Sequence, residues 1–285
     1  MIHFNDYEID HLLHEDIPYE DLTTAFLKLE NKPARIQFTT RDDTVLCCTE
    51  EARQIFAKWG IQTTLFTPSG EFIEKSVKFL EAEGLAGNLH AVWRVIENIM
   101  GYASGIATRT RQIVQKAMMV NPDISIATTR KTFPGAKKII LKAVLSGGGS
   151  IHRQGLSDTL LIFKNHTAFF ENTESFVTRI NERKRLINGK PLTVEVKSVE
   201  EAKKMAQAGV DIIQFDQLAP TEISAAIPKL KKISPNVKIA VAGGISVENV
   251  KEFAGCGAHI LVSSWPYYGK PADFLVTIRP IFDVF

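Results

Sequence analysis

At 285 residues the chain has room for two ordinary domains, or for one barrel with an elaboration. Its apolar fraction of 45% and charged fraction of 23% are those of a globular chain that folds in water. A net charge of +2 excludes a global field for nucleic acid or an acidic membrane surface, and no apolar run approaches the roughly 18 residues that span a bilayer.

The opening, MIHFNDYEIDHLLHED, is acidic and lacks the basic stretch and apolar core of a signal peptide. A β-rich section follows (ARIQFTT, TVLCCTE, TTLFTPSGE), then a long helix from about Leu89. Together these predict a separate N-terminal α/β domain over 1–106, to which the tail 270–285 returns after Gly269-Lys270-Pro271. Cys47 and Cys48 are adjacent and Cys256 stands alone, which is neither a disulfide framework nor a zinc spacing and suits a reducing cytoplasm.

From 107 to 269 the chain has a β-α rhythm. ISIATTR (124–130) and TLLIFK (159–164) read as strands with a helix over 136–145 between them. LTVEV (192–196) is followed by a helix with a Ser198/Glu201 capping box and Gly209 as C-cap. DIIQFD (211–216), a helix from near Thr221, VKIAVAGG (237–244), the helix SVENVKEFAGCG and HILVSS (259–264) complete the series. Strand ends near Glu195, Asp216, Gly243 and Ser263 recur about every 20–27 residues, the period of a β-α unit in a parallel sheet. With no dinucleotide fingerprint, a barrel is favoured over an open doubly wound sheet.

One window is chemically unusual. Ile124 to Ser157 contains no Asp or Glu, where average composition would place roughly four. It holds Arg130, Lys131, Lys137, Lys138, Lys142, His152 and Arg153, interrupted by Gly147-Gly148-Gly149. In a nearly neutral chain such a block points to a local anion. The active face of a β-α barrel lies at the C-terminal strand ends, so Arg130, Lys131, Arg153 and Lys164 would share one mouth with Glu195 and Asp216. Any one of these cations reads equally as a solvated rim residue, but the set shares a chemistry. Gly243-Gly244, after a strand and before a helix, would let backbone N–H groups close on a phosphate with help from the helix dipole. Glu195 and Asp216 either balance charge, hold Mg²⁺ through water or ribose hydroxyls, or steady positive charge developing on a sugar.

The motifs L-x-E-D…D-L-T (Leu13, Glu15, Asp16, Asp21, Leu22, Thr23), S-G-I-A-T (104–108), T-R-K-T-x-P-G (129–135) and G-G-G-x-x-H-R-x-G-L-x-D (147–158) occur in order. Lys164-Asn165-His166, Val194-Glu195-Val196, Asp216 and G-G-I (243–245) continue them, and in this the chain resembles the quinolinate phosphoribosyltransferase family over nearly its whole length. The resemblance implies an α/β fold: an N-terminal α/β sandwich and a C-terminal, TIM-like but incomplete α/β barrel. It also implies a homodimer, with a higher assembly of dimers left open. The implied reaction is attack of an aromatic ring nitrogen on C1 of 5-phosphoribosyl 1-diphosphate (PRPP), with Mg²⁺ present. In the parent enzymes quinolinate then loses a carboxylate to give nicotinate mononucleotide and CO₂. By position, Arg130, His152, Arg153 and Lys164 fall in the acceptor-carboxylate and phosphate pocket, and Lys131 faces PRPP. Glu195 and Asp216 match acids near ribose and Mg²⁺, Gly243-Gly244 match the 5′-phosphate loop, and Arg94 matches an arginine lent to the neighbouring subunit's acceptor site. Lys131, Glu195 and Asp216 are thus the catalytic candidates, and Ser263 joins the substrate-binding set.

The chain departs from the family pattern at Ala242 in place of serine, Gln217 in place of asparagine, Trp93 in place of an acid, and Pro266-Tyr267-Tyr268 in place of Thr-His-Ser. The Pro-Tyr-Tyr-x-Lys-Pro-Ala-Asp tail resembles the ModD branch, paralogues named for association with molybdenum transport. Four readings follow. They are a ModD-like phosphoribosyltransferase using PRPP and a carboxylated aromatic acceptor, an NAD-biosynthetic quinolinate enzyme, a non-catalytic oxyanion binder, and a Schiff-base aldolase with Lys164 as nucleophile. Retention of Glu195 and Asp216 argues against the third, since an anion sensor has no use for acids there. Most aldolases have no need of the glycine loop. His3, His11, His14, His90 and His259 lack metal-ligand spacing and read as structural or surface residues. Phe169-Phe170, Trp93 and Met118-Met119 read as core or interface packing.

Overall fold

The computed structural model describes residues 2–187 and 189–282, so the last three residues of the tail 270–285 lie outside the described residues. The chain forms two compact units: Met1–Arg111, Phe133–Gly148 and Pro266–Phe285 in one, Gln112–Thr132 and Gly149–Trp265 in the other.

The first unit is built on a four-stranded antiparallel sheet in the order Phe274–Pro280, Pro33–Thr40, Lys78–Leu85, Gln62–Phe66. In Pro33–Thr40 the buried residues are Ala34, Ile36, Phe38 and Thr40, the period-two pattern that gives a sheet one apolar face. The helices Asp6–Asp16 and Thr49–Lys58 and the first turns of Ala86–Met118 cover that face with Ile9, Ile55, Phe56, Leu89 and Ile96. The S-G-I-A-T segment lies within the long helix and serves as a fastening. Ser104 Oγ accepts from Cys47 N at 2.9 Å and Thr108 Oγ1 from Val45 N at 2.9 Å. Gly105 admits the returning tail, since a Cβ there would lie 2.9 Å from Lys270 O.

Three expectations need correction. TVLCCTE is a strand only at Thr44–Val45, because Cys48 takes a left-handed φ of 65° and opens the helix Thr49–Lys58. The helix Lys137–Ser146 belongs to the first unit and not to the barrel domain 107–269, because its apolar face, Ile140, Ala143 and Val144, joins the first unit's core. Of the residues read as core or interface packing, Phe170 packs within the chain, its ring 5.3 Å from that of Phe176, whereas Phe169 at 90% and Met119 at 74% exposed are not part of this chain's core.

The second unit is a curled, parallel seven-stranded half-barrel sheet. Its order is Ser150–Ile151, Ser125–Thr128, Ile260–Ser263, Lys238–Ala242, Ile212–Asp216, Leu192–Val196, Leu160–Ile162. Central strands covered on both faces are apolar throughout, as Ile239, Ala240 and Val241 are. The helices Val199–Gln207, Pro220–Ile233 and Val250–Ala254 supply Ala202, Met205, Ile223, Leu230 and Val250 to its core. The capping box at Ser198 is half formed. Ser198 Oγ accepts from Glu201 N at 3.2 Å, but the Glu201 carboxylate turns to Lys197 N at 2.8 Å. Gly209 follows that helix in the left-handed region, φ 69°. Among the described residues no helix is long and apolar enough to cross a membrane.

Candidate active site

A cavity of about 760 Å³ opens at the C-terminal strand ends of the second unit. Arg130 and Lys131 follow the Ser125–Thr128 strand, His152 and Arg153 follow Ser150–Ile151, and Glu195 and Asp216 come from the strands Leu192–Val196 and Ile212–Asp216. Gly243, Gly244 and Ser263 complete the convergence that a barrel mouth demands.

Two predicted residues are elsewhere. Lys164 does not line this cavity but an adjoining one of about 320 Å³, shared with Glu195, because it opens the short helix Lys164–Thr167 beyond its strand. Arg94 lies in the first unit, its guanidinium 3.9 Å from the centre of the Trp93 ring and paired with Glu97. Pro266-Tyr267-Tyr268 also belongs to the first unit, where Pro266 O accepts from Arg109 Nε at 2.8 Å; the cavity lining ends at Trp265.

The acid-free block divides in the fold. Lys142 is 2% exposed and its Nζ lies 2.8 Å from Glu50 and from Glu51, and Lys138 Nζ lies 2.7 Å from Glu8. Their charge is matched by carboxylates remote in sequence. Gly147 is likewise structural: a Cβ there would lie 2.5 Å from Ala107 O and from Thr110 Cβ. What faces the cavity is the remainder. Arg153 is only 8% exposed, yet among the described residues no carboxylate pairs with it, and burial and then the Arg130 charge both push its pKa down. A buried guanidinium beside a second cation, with no acid to match it, is a site completed by an anion.

The same cavity is lined by a chain of three side chains. His152 Nε2 lies 2.9 Å from Gln214 Oε1, and Gln214 Nε2 donates to Glu195 Oε2 at 3.1 Å. Burial holds His152 below the usual imidazole range, against the Gln214 bond, and Arg153 lowers it further. Burial and then the Asp216 charge push Glu195 up, opposed by Gln214, Lys197 and Lys131. Asp216 lies 3.9 Å from Lys197 Nζ. Gln214, 4% exposed, went unnoticed in the sequence; the available signal was a polar residue inside the otherwise apolar run IIQF.

The glycine loop departs from expectation in one respect. The following helix has five residues, Val250–Ala254, and begins six positions after Gly244, so its dipole adds little at the loop. Any anion binding there rests on backbone N–H groups. Gly243 and Gly244 have φ of 101° and 69°, and a Cβ on Gly243 would lie 2.6 Å from Gln217 Cγ and 2.9 Å from Gln217 N, whereas Gly244 faces open space. Ser263 Oγ donates to Ile245 O at 2.6 Å and accepts from Trp265 N at 3.0 Å, so its hydroxyl braces the loop. Asn249 holds Gly244 O and Ser246 N at 2.9 Å each.

Among the described residues no group of three or more His, Cys, Asp or Glu side chains could hold a metal ion. Glu195 and Asp216 supply two hard oxygen donors. That fits Mg²⁺, which commonly takes one or two carboxylates and fills its shell with water and substrate phosphate.

The chain matches the N-terminal domain of quinolinate phosphoribosyl transferase over residues 21–104 and the C-terminal domain over 106–277. ModD of Pasteurella multocida, assigned as a pyrophosphorylase by inference, is 34% identical over 279 residues, 98% of this chain and 99% of that protein. A carboxylating nicotinate-nucleotide pyrophosphorylase of Methanothermobacter thermautotrophicus, also assigned by inference, is 32% identical over 95% of this chain and 98% of its own. The structure of NadC from Streptococcus pyogenes superposes with a TM-score of 0.88 at 26% identity, covering 97% of each chain. That of nicotinate-nucleotide pyrophosphorylase from Ehrlichia chaffeensis also gives 0.88, at 26% identity over 98% of this chain and 100% of that one. With both domains matched in order and relatives aligned end to end, the chain belongs to the quinolinate phosphoribosyl transferase family.

Proposed function

We propose that the protein transfers the 5-phosphoribosyl group of PRPP to the ring nitrogen of a carboxylated heteroaromatic acceptor and releases diphosphate. The observation that carries this reading is buried Arg153, without an acid partner among the described residues, in one cavity with Arg130, two carboxylates and a left-handed glycine pair. In the reaction the ring nitrogen's lone pair forms the bond to C1 while the C1–oxygen bond breaks and its electrons leave with diphosphate. Arg153 and Arg130 bind the acceptor carboxylate, and Lys131 faces the diphosphate. The Gly243-Gly244 backbone takes the 5′-phosphate, braced by Ser263. Glu195 and Asp216 are assigned to steady the positive charge that develops on the sugar, and they would hold Mg²⁺, which neutralises diphosphate charge when bound.

Lys164, reached through Glu195 from the adjoining cavity, is assigned to the acceptor's outer side. Arg94, presented on Trp93, is assigned to the acceptor site of the second subunit of a homodimer, and the reaction to the cytoplasm. The departures at Ala242 and Gln217, both lining the cavity, support a ModD-like acceptor other than quinolinate. Calorimetry with PRPP, with and without Mg²⁺, followed by assay of diphosphate release over a series of pyridine and related carboxylates, tests the reading. Binding of PRPP with turnover of at least one acceptor is expected. No PRPP binding at millimolar concentration would leave an oxyanion-binding protein instead.

A further inference from the structure

We propose that Gln214 is a positioning residue that sets the hydrogen-bonding polarity of His152, so that the cavity selects an acceptor presenting a hydrogen-bond donor, not a second carboxylate, to that imidazole. The substrate-class half of this rests on the acceptor-site reading above.

An ionised carboxylate can only accept, and an amide accepts at one end and donates at the other. With Gln214 Nε2 committed to Glu195 Oε2 at 3.1 Å, the amide oxygen is the atom left for His152, 2.9 Å from Nε2. The opposite amide orientation would set that oxygen against the Glu195 carboxylate. Gln214 is 4% exposed, so water does not offer it other partners. Since the oxygen only accepts, His152 Nε2 carries the proton. In a neutral imidazole Nδ1 is then a bare lone pair. Burial and, after it, neighbouring Arg153 favour the neutral ring against the opposing Gln214 bond, and Nδ1 has no hydrogen bond among the described residues although the ring lines the cavity. An acceptor carboxylate meeting Nδ1 sets lone pair against lone pair, whereas an N–H or O–H substituent completes a hydrogen bond. Arg153 and Arg130 remain for one carboxylate. The cavity thus offers its cations to a carboxylate and His152 Nδ1 to a donor, with Gln214 setting the second.

Two measurements test this. The first uses the protein alone, labelled with ¹⁵N-histidine. The ring nitrogen shifts of His152 should report a single Nε2–H tautomer in the native chain. Gln214→Met should give a mixture. A native Nδ1–H tautomer, or the same tautomer in native and Gln214→Met proteins, would overturn the positioning role. A merely structural Gln214 would not move the tautomer. The second is calorimetry, in the presence of PRPP and Mg²⁺, with 2-aminopyridine-3-carboxylate and with pyridine-2,3-dicarboxylate. The amino compound should bind about tenfold or more tighter to native protein, and the ratio should fall toward unity in Gln214→Met. Tighter binding of the dicarboxylate would overturn the selectivity while leaving phosphoribosyl transfer standing if diphosphate is released. Absence of PRPP binding and of diphosphate release would sink the transferase reading, while the tautomer measurement would still decide the role of Gln214.

Discussion

Lys142 and Glu51 form a buried ion pair in the first unit, with Nζ 2.8 Å from Oε1 and side chains 3% and 4% exposed. Glu50 joins at 2.8 Å, so one lysine from the basic block answers two acids at the start of the helix Thr49–Lys58. Removing one partner from such a group leaves charge buried without a mate. Lys142→Met should therefore cost about 3–5 kcal/mol in chemical denaturation. Adding Glu50→Gln and Glu51→Gln should restore much of it. A loss below about 1 kcal/mol for the single variant would show that the pair contributes little.

The same cluster sets an acid limit. Burial would raise the Glu50 pKa, but the bonds from Lys142 and Ser69 prevail and bring it down to about 2 from 4.5. A depressed folded-state pKa gives stability that is complete above the unfolded value and is lost as pH falls through the folded one. Glu50 should therefore stabilise the first unit fully above pH 4.5 and progressively less toward pH 2. Stability curves between these limits should fall less steeply for Glu50→Gln than for native protein. Parallel curves would remove Glu50 from the acid response.

Arg153→Ala should weaken acceptor binding by about 1.5–3 kcal/mol, the scale of a charge-assisted hydrogen bond, with PRPP affinity nearly intact. Because Arg153 is buried beside Arg130 with no acid partner among the described residues, its removal should not lower the thermal midpoint of the unliganded protein. Paired titrations and thermal melts check both halves. A lowered midpoint together with unchanged acceptor affinity would make Arg153 a structural residue.

Gly243→Ala should be damaging and Gln217→Asn benign. The first places a Cβ 2.6 Å from Gln217 Cγ at a φ of 101°, which must shift the loop proposed to bind phosphate. PRPP affinity should fall at least about tenfold, equivalent to 1.4 kcal/mol. Gln217 itself has φ 61°, a region asparagine tolerates better than longer side chains, so Gln217→Asn should raise stability by about 0.5–1 kcal/mol. Calorimetry with PRPP and urea denaturation read the two effects. Unchanged PRPP affinity in Gly243→Ala would move the phosphate away from this loop.

Arg94 tests the two-fold assembly. If each acceptor site takes Arg94 from one chain and Arg130 from the other, Arg94→Ala and Arg130→Ala homodimers should both be nearly inactive. Mixed dimers should regain up to about half of native activity per dimer, because one site then carries both defects and the other neither. Verified subunit exchange without recovery would confine Arg94 to its own chain, where it stacks on Trp93 and pairs with Glu97.

What the sequence by itself determined was the set of local patterns and their order. The strands Leu192–Val196, Ile212–Asp216, Lys238–Ala242 and Ile260–Ser263 fall where apolar runs and turn residues predict them. Their spacing implies the parallel sheet, because a right-handed β-α-β connection leaves few other topologies. Arg130, Lys131, His152, Arg153, Glu195, Asp216 and Gly243 converge because parallel strands present their C-terminal ends on one edge. Only the tertiary structure decided how each charge is used. Lys142 and Arg153 are similar in sequence, both in an acid-free window, yet one meets Glu50 and Glu51 and the other pairs with no acid among the described residues. Gln214 gained its partners, Lys164 its separate cavity and Gly147 its close packing on Ala107 and Thr110 through contacts between residues distant along the chain. Periodicity reports which face of an element is buried; it carries no information about which distant group that face will meet.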